Sequence, residues 1–200
     1  MRKAVVTSLV LLASIRPGLA EDCGEKLSRL MIEWLEPRAP ATAMMTVETK
    51  GQPTTRNEFL HLDWDKYMVK TVEPAGGPWY LTLEGTTYQS SDGGQSWTKA
   101  YSFDHNDTRT KSDESVKQQA STIENAVCGE EDLGGVKHET IEADMTSTTN
   151  TVVHIHAKYW INPDNGFVTK ATSRMTMEGF ENFTIQEWTA APDLTLPSPE

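Results

Sequence analysis

Along most of this chain apolar and polar residues alternate with period two, and in two stretches they recur at helical spacing. Residues 25–36, EKLSRLMIEWLE, set Leu27, Leu30, Met31, Trp34 and Leu35 on one side of a helix that Pro37 ends. A second helix is predicted over about residues 112–127. There Val116, Ala120, Ile123 and Val127 make a narrow stripe, Asp113 and Glu114 fill an acidic first turn, and Gly129 follows the end. Strands are predicted at 42–50, 55–64, 66–73, 79–84, 86–91, 96–103, 136–145, 151–161, 167–177 and 183–189. Turn residues separate them at Gly76-Gly77-Pro78, Asp92-Gly93-Gly94 and Pro163-Asp164-Asn165-Gly166. So many consecutive strands predict an α+β fold: a curved antiparallel sheet or incomplete β-barrel, with the N-terminal helix and the inserted helix as a lid.

The strand pattern also divides the sheet into two faces. Strand 151–161 sets Val153, Ile155, Ala157, Tyr159 and Ile161 on one side and His154, His156, Lys158 and Trp160 on the other. Strand 167–177 sets Phe167, Ala171, Met175 and Met177 against Lys170, Thr172, Arg174 and Thr176. If the sheet curves, the apolar face is the inner one. Methionine is flexible and polarizable, which suits a surface that fits ligands of variable shape. Met44, Met68, Trp79, Leu81, Phe167 and Met175 are therefore the expected hydrophobic lining, with an ordinary filled core as the alternative.

The start of the chain changes the setting. Arg2 and Lys3 precede an apolar stretch from Ala4 to Ile15, and Gly18-Leu19-Ala20 offers small residues for cleavage. Residues 1–20 thus read as a signal peptide cut near Ala20, too short for a membrane span, and the mature chain as soluble, periplasmic or secreted. Residues 21–190 form one domain, followed by a proline-rich tail at 191–200. Cleavage takes Arg2, Lys3 and Arg16 from the 18 basic residues, leaving 15 against 29 acidic ones, a net charge of −14. That surface repels nucleic acid and anionic membranes. In an oxidising compartment the two cysteines, Cys23 and Cys128, read as one disulfide.

Catalytic chemistry has no recognisable signature: there is no G-x-S-x-G elbow, H-E-x-x-H or glycine-rich phosphate loop. His154 and His156 share a face, and an even register in the hairpin around Ser147 would bring His138 opposite one of them. Three imidazoles can hold zinc or copper, but the absence of a carboxylate or thiol at fixed ligand spacing favours ordinary histidines and no metal. His61, Asp63 and Asp65 gather near a strand end and read as a solvated turn. No cofactor is expected. Asn106 and Asn182 stand in N-x-T sequons, relevant only where exported proteins are glycosylated.

Ser90 to Trp97, SSDGGQSW, fits the Asp-box pattern Ser/Thr-x-Asp-x-Gly-x-Ser/Thr-Trp of sialidase-like propellers. A propeller needs repeated blades, and here the motif occurs once, without an internal repeat. Asp92 accepting backbone N–H groups, Gly93 and Gly94 at positive φ, and Trp97 beneath the hairpin make it a structural turn. The order of elements instead resembles the LolA-like periplasmic lipoprotein-carrier superfamily. Locally, the stretch from Ala157 to Met175 looks like that superfamily's strand–turn–strand pattern at Trp160, Ile161, Asn162, Pro163, Gly166 and Lys170. The Tyr88–Trp97 hairpin falls where such proteins often carry a similar turn. The resemblance implies an unclosed antiparallel barrel with a helical lid over a hydrophobic cavity, and a carrier or sensor of lipids or acylated ligands rather than an enzyme. A monomer is expected, with the protein partner unknown. The alternatives are a small glycan-binding protein or hydrolase using the Asp-box loops, and a structural adaptor with a filled core.

Overall fold

The computed structural model describes residues 22–33, 39–148 and 151–199. The signal-peptide stretch and the predicted helical positions Trp34 and Leu35 lie outside these residues. Helix α1 (Cys23–Glu33) is followed by strands β1 (Ala41–Thr49), β2 (Thr55–Asp63), β3 (Lys66–Glu73), β4 (Trp79–Leu83), β5 (Thr86–Ser90) and β6 (Thr98–Ser102). After helix α2 (His105–Ala120) come β7 (Glu124–Leu133), β8 (Val136–Ser147), β9 (Val153–Ile161), β10 (Val168–Met177) and β11 (Phe180–Ala190). All 11 strands join one antiparallel sheet in the order β6-β5-β4-β3-β2-β1-β11-β10-β9-β8-β7. No pairing joins β6 to β7, so the curved sheet stays open. The chain lays down one wing, crosses through α2, and lays down the other, until β11 returns to β1.

Helix α2 lies seven residues earlier than its hydrophobic stripe predicts. Asp104 is its N-cap, accepting from the Asp107 N–H at 2.9 Å. Its exposed first half has no apolar face for a pattern to detect and is laced by i,i+4 ion pairs, Lys111–Asp107 at 2.6 Å and Arg109–Asp113 at 2.9 Å. Only its last turns touch the core, through Val116 and Ala120. The residues read as the helix end instead form β7, an edge strand exposed along nearly its whole length. Gly134 and Gly135, at φ 63° and 83°, turn it into β8.

The register assigns the paired strand residues to two faces. Met145, Ala143 and Ile141 on β8, Ile155, Ala157 and Ile161 on β9, and Ala171 on β10 pack beneath Leu27 and Met31 of α1 and Ala120 of α2. This is the helix face. Following the pairs across the sheet, it continues through Gln186 and Trp188, then Ala43 and Met45, then Phe59 and His61, to Tyr67 and Val69. A separate apolar cluster lies on the outer face. Leu60, Met68 and Leu81 are buried there with Leu83, Tyr88 and Trp97, and the tail residues Leu194 and Leu196 pack against them. The tail is tied at its start by Ala191 N–H to the Pro40 carbonyl at 2.8 Å.

The disulfide Cys23–Cys128 fastens the first turn of α1 to β7, with 5.6 Å between the Cα atoms. It therefore joins a helix to an edge strand. Asp22 caps α1, its carboxylate accepting from the Gly24 N–H at 3.3 Å.

Candidate functional site: an aromatic-walled groove on the helix face

β1 supplies a floor of small side chains. Ala41 and Ala43 are 4% and 3% exposed and alternate with Thr42 on the other face. The strands on either side carry large rings at matching register: Phe59 and His61 on β2 opposite Ala43 and Ala41, and Trp188 on β11 opposite Ala43. Two hollows result. One, of ≈ 190 Å³, runs over Ala39 and Ala41 to Phe167 and Val168. The other, of ≈ 230 Å³, runs over Ala43 and Met45 to Phe59, Trp64 and Tyr67. His61, Gln186 and Trp188 line both, so the hollows are halves of one groove.

The dividing wall is held by long contacts. Trp188 Nε1–H donates to Gln186 Oε1 at 3.3 Å, and the Gln186 amide N–H reaches Met45 Sδ at 3.6 Å. The His61 ring stands edge-on to Trp188, with centroids 6.5 Å apart. At the far end the Trp64 ring packs against His105 of α2, tilted by 54° with centroids 4.7 Å apart, and the Arg109 guanidinium lies 5.4 Å from its ring. Beside it His105 Nδ1 is 2.9 Å from a carboxylate oxygen of Asp65, whose side chain is 5% exposed. The expected solvated turn is thus a packed junction: Asp65 anchors α2, and His61 belongs to the groove. Deeper under the helices, burial pushes the Tyr159 hydroxyl up to about 12.

Of the residues expected to line a ligand site, Phe167 lies in this groove. Met175 shares the helix face, opposite Ile155 and Asn182 and away from the hollows. Met68, Trp79 and Leu81 lie on the outer face, with Met68 and Leu81 in the cluster that the tail flanks. Met44 is on that face too, paired with Glu187 and Glu58. Both faces of the first wing carry apolar residues, so alternation alone could not say which one the helices cover. The missed residues had a signal of another kind: small Ala41 and Ala43 flanked in space by Phe59, His61 and Trp188, visible only once the register is known.

The histidines do not converge. His138 pairs with Glu131 of β7, not with β9, and its Nδ1 contacts the Val136 carbonyl at 2.9 Å. His156 lies between Asp144 (2.8 Å) and Glu142 (3.1 Å), while His154 faces Thr146 and Thr176. Among the described residues no group of three or more potential ligands could hold a metal ion.

The Ser90–Trp97 hairpin is self-contained. Asp92 Oδ1 accepts from Ser90 Oγ at 2.7 Å and from the N–H groups of Gln95 and Ser96 at 3.0 and 2.9 Å, and Oδ2 accepts from Ser96 Oγ at 2.5 Å. The Ser96 hydroxyl and N–H, with the Ser90 hydroxyl, hold the Asp92 carboxyl well below the usual carboxylate range. Gly94, at φ 88°, is packed so closely that a Cβ there would stand 3.1 Å from the Trp79 ring. Both carboxylate oxygens of Asp92 accept hydrogen bonds from within its own turn.

The chain is an open antiparallel sheet with two helices over part of one face and an apolar groove beside them on the same face. Similar solved structures include the LolA superfamily protein NE2245 from Nitrosomonas europaea, at 8% identity and TM-score 0.36, covering 87% of this chain and 94% of that one. A chain of the Pseudomonas aeruginosa MucA/MucB complex is similar at 17% identity and TM-score 0.45, over 85% of this chain and 58% of that one. A putative outer membrane lipoprotein-sorting protein domain from Vibrio parahaemolyticus is similar at 11% identity and TM-score 0.35, over 86% and 95%. No family model matches the chain, and no curated protein matches its sequence. Among the described residues no helix is long and apolar enough to cross a membrane.

Proposed function

We propose that this is an exported protein that binds a lipid or acyl chain in the groove on the helix face, as a carrier or sensor and not as an enzyme. The observation that carries the reading is the groove itself: an alanine floor, aromatic walls and a helix-held Trp64 at one end. Apolar rings around small residues favour desolvation of an aliphatic chain, at roughly 25 cal/mol per Å² of apolar surface removed from water. Gln186, His61 and Trp188 put polar groups at the dividing wall, where they are suited to orienting a ligand. None forms a nucleophile–base pair.

The test is displacement of N-phenyl-1-naphthylamine from the purified protein by dodecanoic acid, read by fluorescence, with native mass spectrometry for copurified lipid. Ala43→Phe fills the floor and is expected to abolish displacement while the protein still melts cooperatively. Phe59→Ala, which opens a wall instead of blocking the floor, is expected to retain binding. The proposal fails if no fatty acid, detergent or lipid changes the melting of the native protein while a glycan does.

A further inference from the structure

Each hollow alone, at ≈ 190 and ≈ 230 Å³, is smaller than the roughly 300–1,000 Å³ of an ordinary ligand site. They meet at one wall, formed by Gln186, His61 and Trp188, while Trp64 and Tyr67 bring an indole N–H and a hydroxyl to the far end of the larger hollow. On both sides of it the lining is alanine, valine, methionine and aromatic rings. A single ligand using the whole groove must therefore cross a polar station with an apolar arm on either side.

Gln186 is the centre of that station. Among the described residues, its Oε1 accepts one bond from the Trp188 indole at 3.3 Å, and its amide nitrogen meets the Met45 thioether at 3.6 Å. A carboxamide has two donor hydrogens and two acceptor lone pairs. These two contacts are long, and one is to a weak acceptor. Capacity therefore remains for a ligand group. An amide nitrogen beside a thioether in an apolar groove gains from a carbonyl oxygen, and Oε1 from an N–H or hydroxyl. A purely hydrocarbon ligand would cover this amide without compensating it.

We propose that the ligand is an amphiphile with two apolar arms joined by a hydrogen-bonding linkage such as an amide or ester, and that Gln186 reads that linkage. Trp188 and His61 then act as positioning residues, flanking the linkage and dividing the arms. This inference rests on the groove reading above and narrows it from apolar ligands in general to one linkage-bearing class.

The experiment uses two probes of similar length, N-hexylhexanamide and tridecane, each displacing N-phenyl-1-naphthylamine from wild type, Gln186→Met and Gln186→Leu. The wild type is expected to favour the amide once each affinity is corrected for the probe's water solubility. Gln186→Met keeps the side-chain length and removes the amide. It is expected to weaken N-hexylhexanamide about tenfold, the size of one buried hydrogen bond, and to leave tridecane within twofold. Gln186→Leu should repeat the pattern, and thermal melting of each variant reports whether the sheet is intact. Equal losses for both probes, or no loss for either, overturn the role of Gln186 while the groove reading stands. If neither probe displaces the dye from wild type, the groove reading itself falls.

Discussion

Replacing Leu81 by alanine separates the two apolar clusters. Leu81 has no exposed surface and packs with Leu60 and Met68 on the outer face, where Leu194 and Leu196 also lie. Truncation to Cβ loses roughly 2.4 kcal/mol of transfer free energy, at about 0.8 kcal/mol per methylene-sized group. An unfilled cavity adds to this, and buried Leu→Ala changes fall at about 2.7–5 kcal/mol. Short strand neighbours and a tail held by few hydrogen bonds allow partial collapse, so a loss of about 3 kcal/mol is expected. For a chain of this size that corresponds to about 6–12 °C in melting temperature. Urea denaturation followed by tryptophan fluorescence gives the free energy, and dye displacement by dodecanoic acid gives the binding. The expected result is a large loss of stability with affinity unchanged, because Leu81 faces away from Tyr67 and the groove. Lost binding with an unchanged melting curve would place Leu81 in the ligand site and refute the assignment of faces.

Reducing Cys23–Cys128 opens a loop with a sequence separation of 105, worth roughly 4–5 kcal/mol in the chain-entropy model. Denaturation with and without reductant should show that loss, and an unchanged midpoint would mean the bond constrains little. Because the folded-state Asp92 carboxyl is depressed, its contribution to the hairpin is present above the ordinary aspartate value near 4 and is lost only as pH falls through the lower folded value. The Gly94 amide resonance should therefore hold its position from pH 7 down to about pH 4 in the wild type, whereas Asp92→Ala shifts it at every pH. A wild-type transition near pH 4 would contradict the bonding described. Tyr159 behaves in the opposite sense: its folded value is raised, so its contribution is present below pH 10 and is lost as pH rises toward 12. Ultraviolet titration of wild type against Tyr159→Phe checks this, and a Tyr159 signal that ionises near 10 would show that the ring is not buried.

The sequence pattern located the strands well because most are bounded by glycine-rich turns and alternate in burial. Nine of the ten predicted strand stretches overlap an observed strand along nearly their length, and the tenth, 96–103, contains the shorter β6. β7 escaped because it is an exposed edge whose Val127 happens to fall four residues after Ile123, completing a false helical stripe. Its Gly134-Gly135 turn was the better signal. The first half of α2 escaped because a helix held by a cap and ion pairs buries nothing that a periodic pattern can register.

The site was hidden for a deeper physical reason. Met44 belongs to an outer-face row that runs through Glu187 and Lys170 to Trp160 in one direction, and through Glu58 and Lys70 to Trp79 in the other. Lys170 and Lys70 lie over those two indoles at 5.2 and 5.4 Å, so cations cover aromatic surface there and satisfy it without a lid. On the helix face the same strands present Ala43, Phe59 and Trp188, whose rings carry no cation among the described residues, and the hollow lies open up to Trp64, which Arg109 covers. Alternation shows that a strand has two apolar sides. Only the partners across neighbouring strands decide which side is sealed by charge and which is left as a groove. That distinction selects Ala43 and Gln186 over Met44 and Trp79 as the residues whose mutation should alter binding.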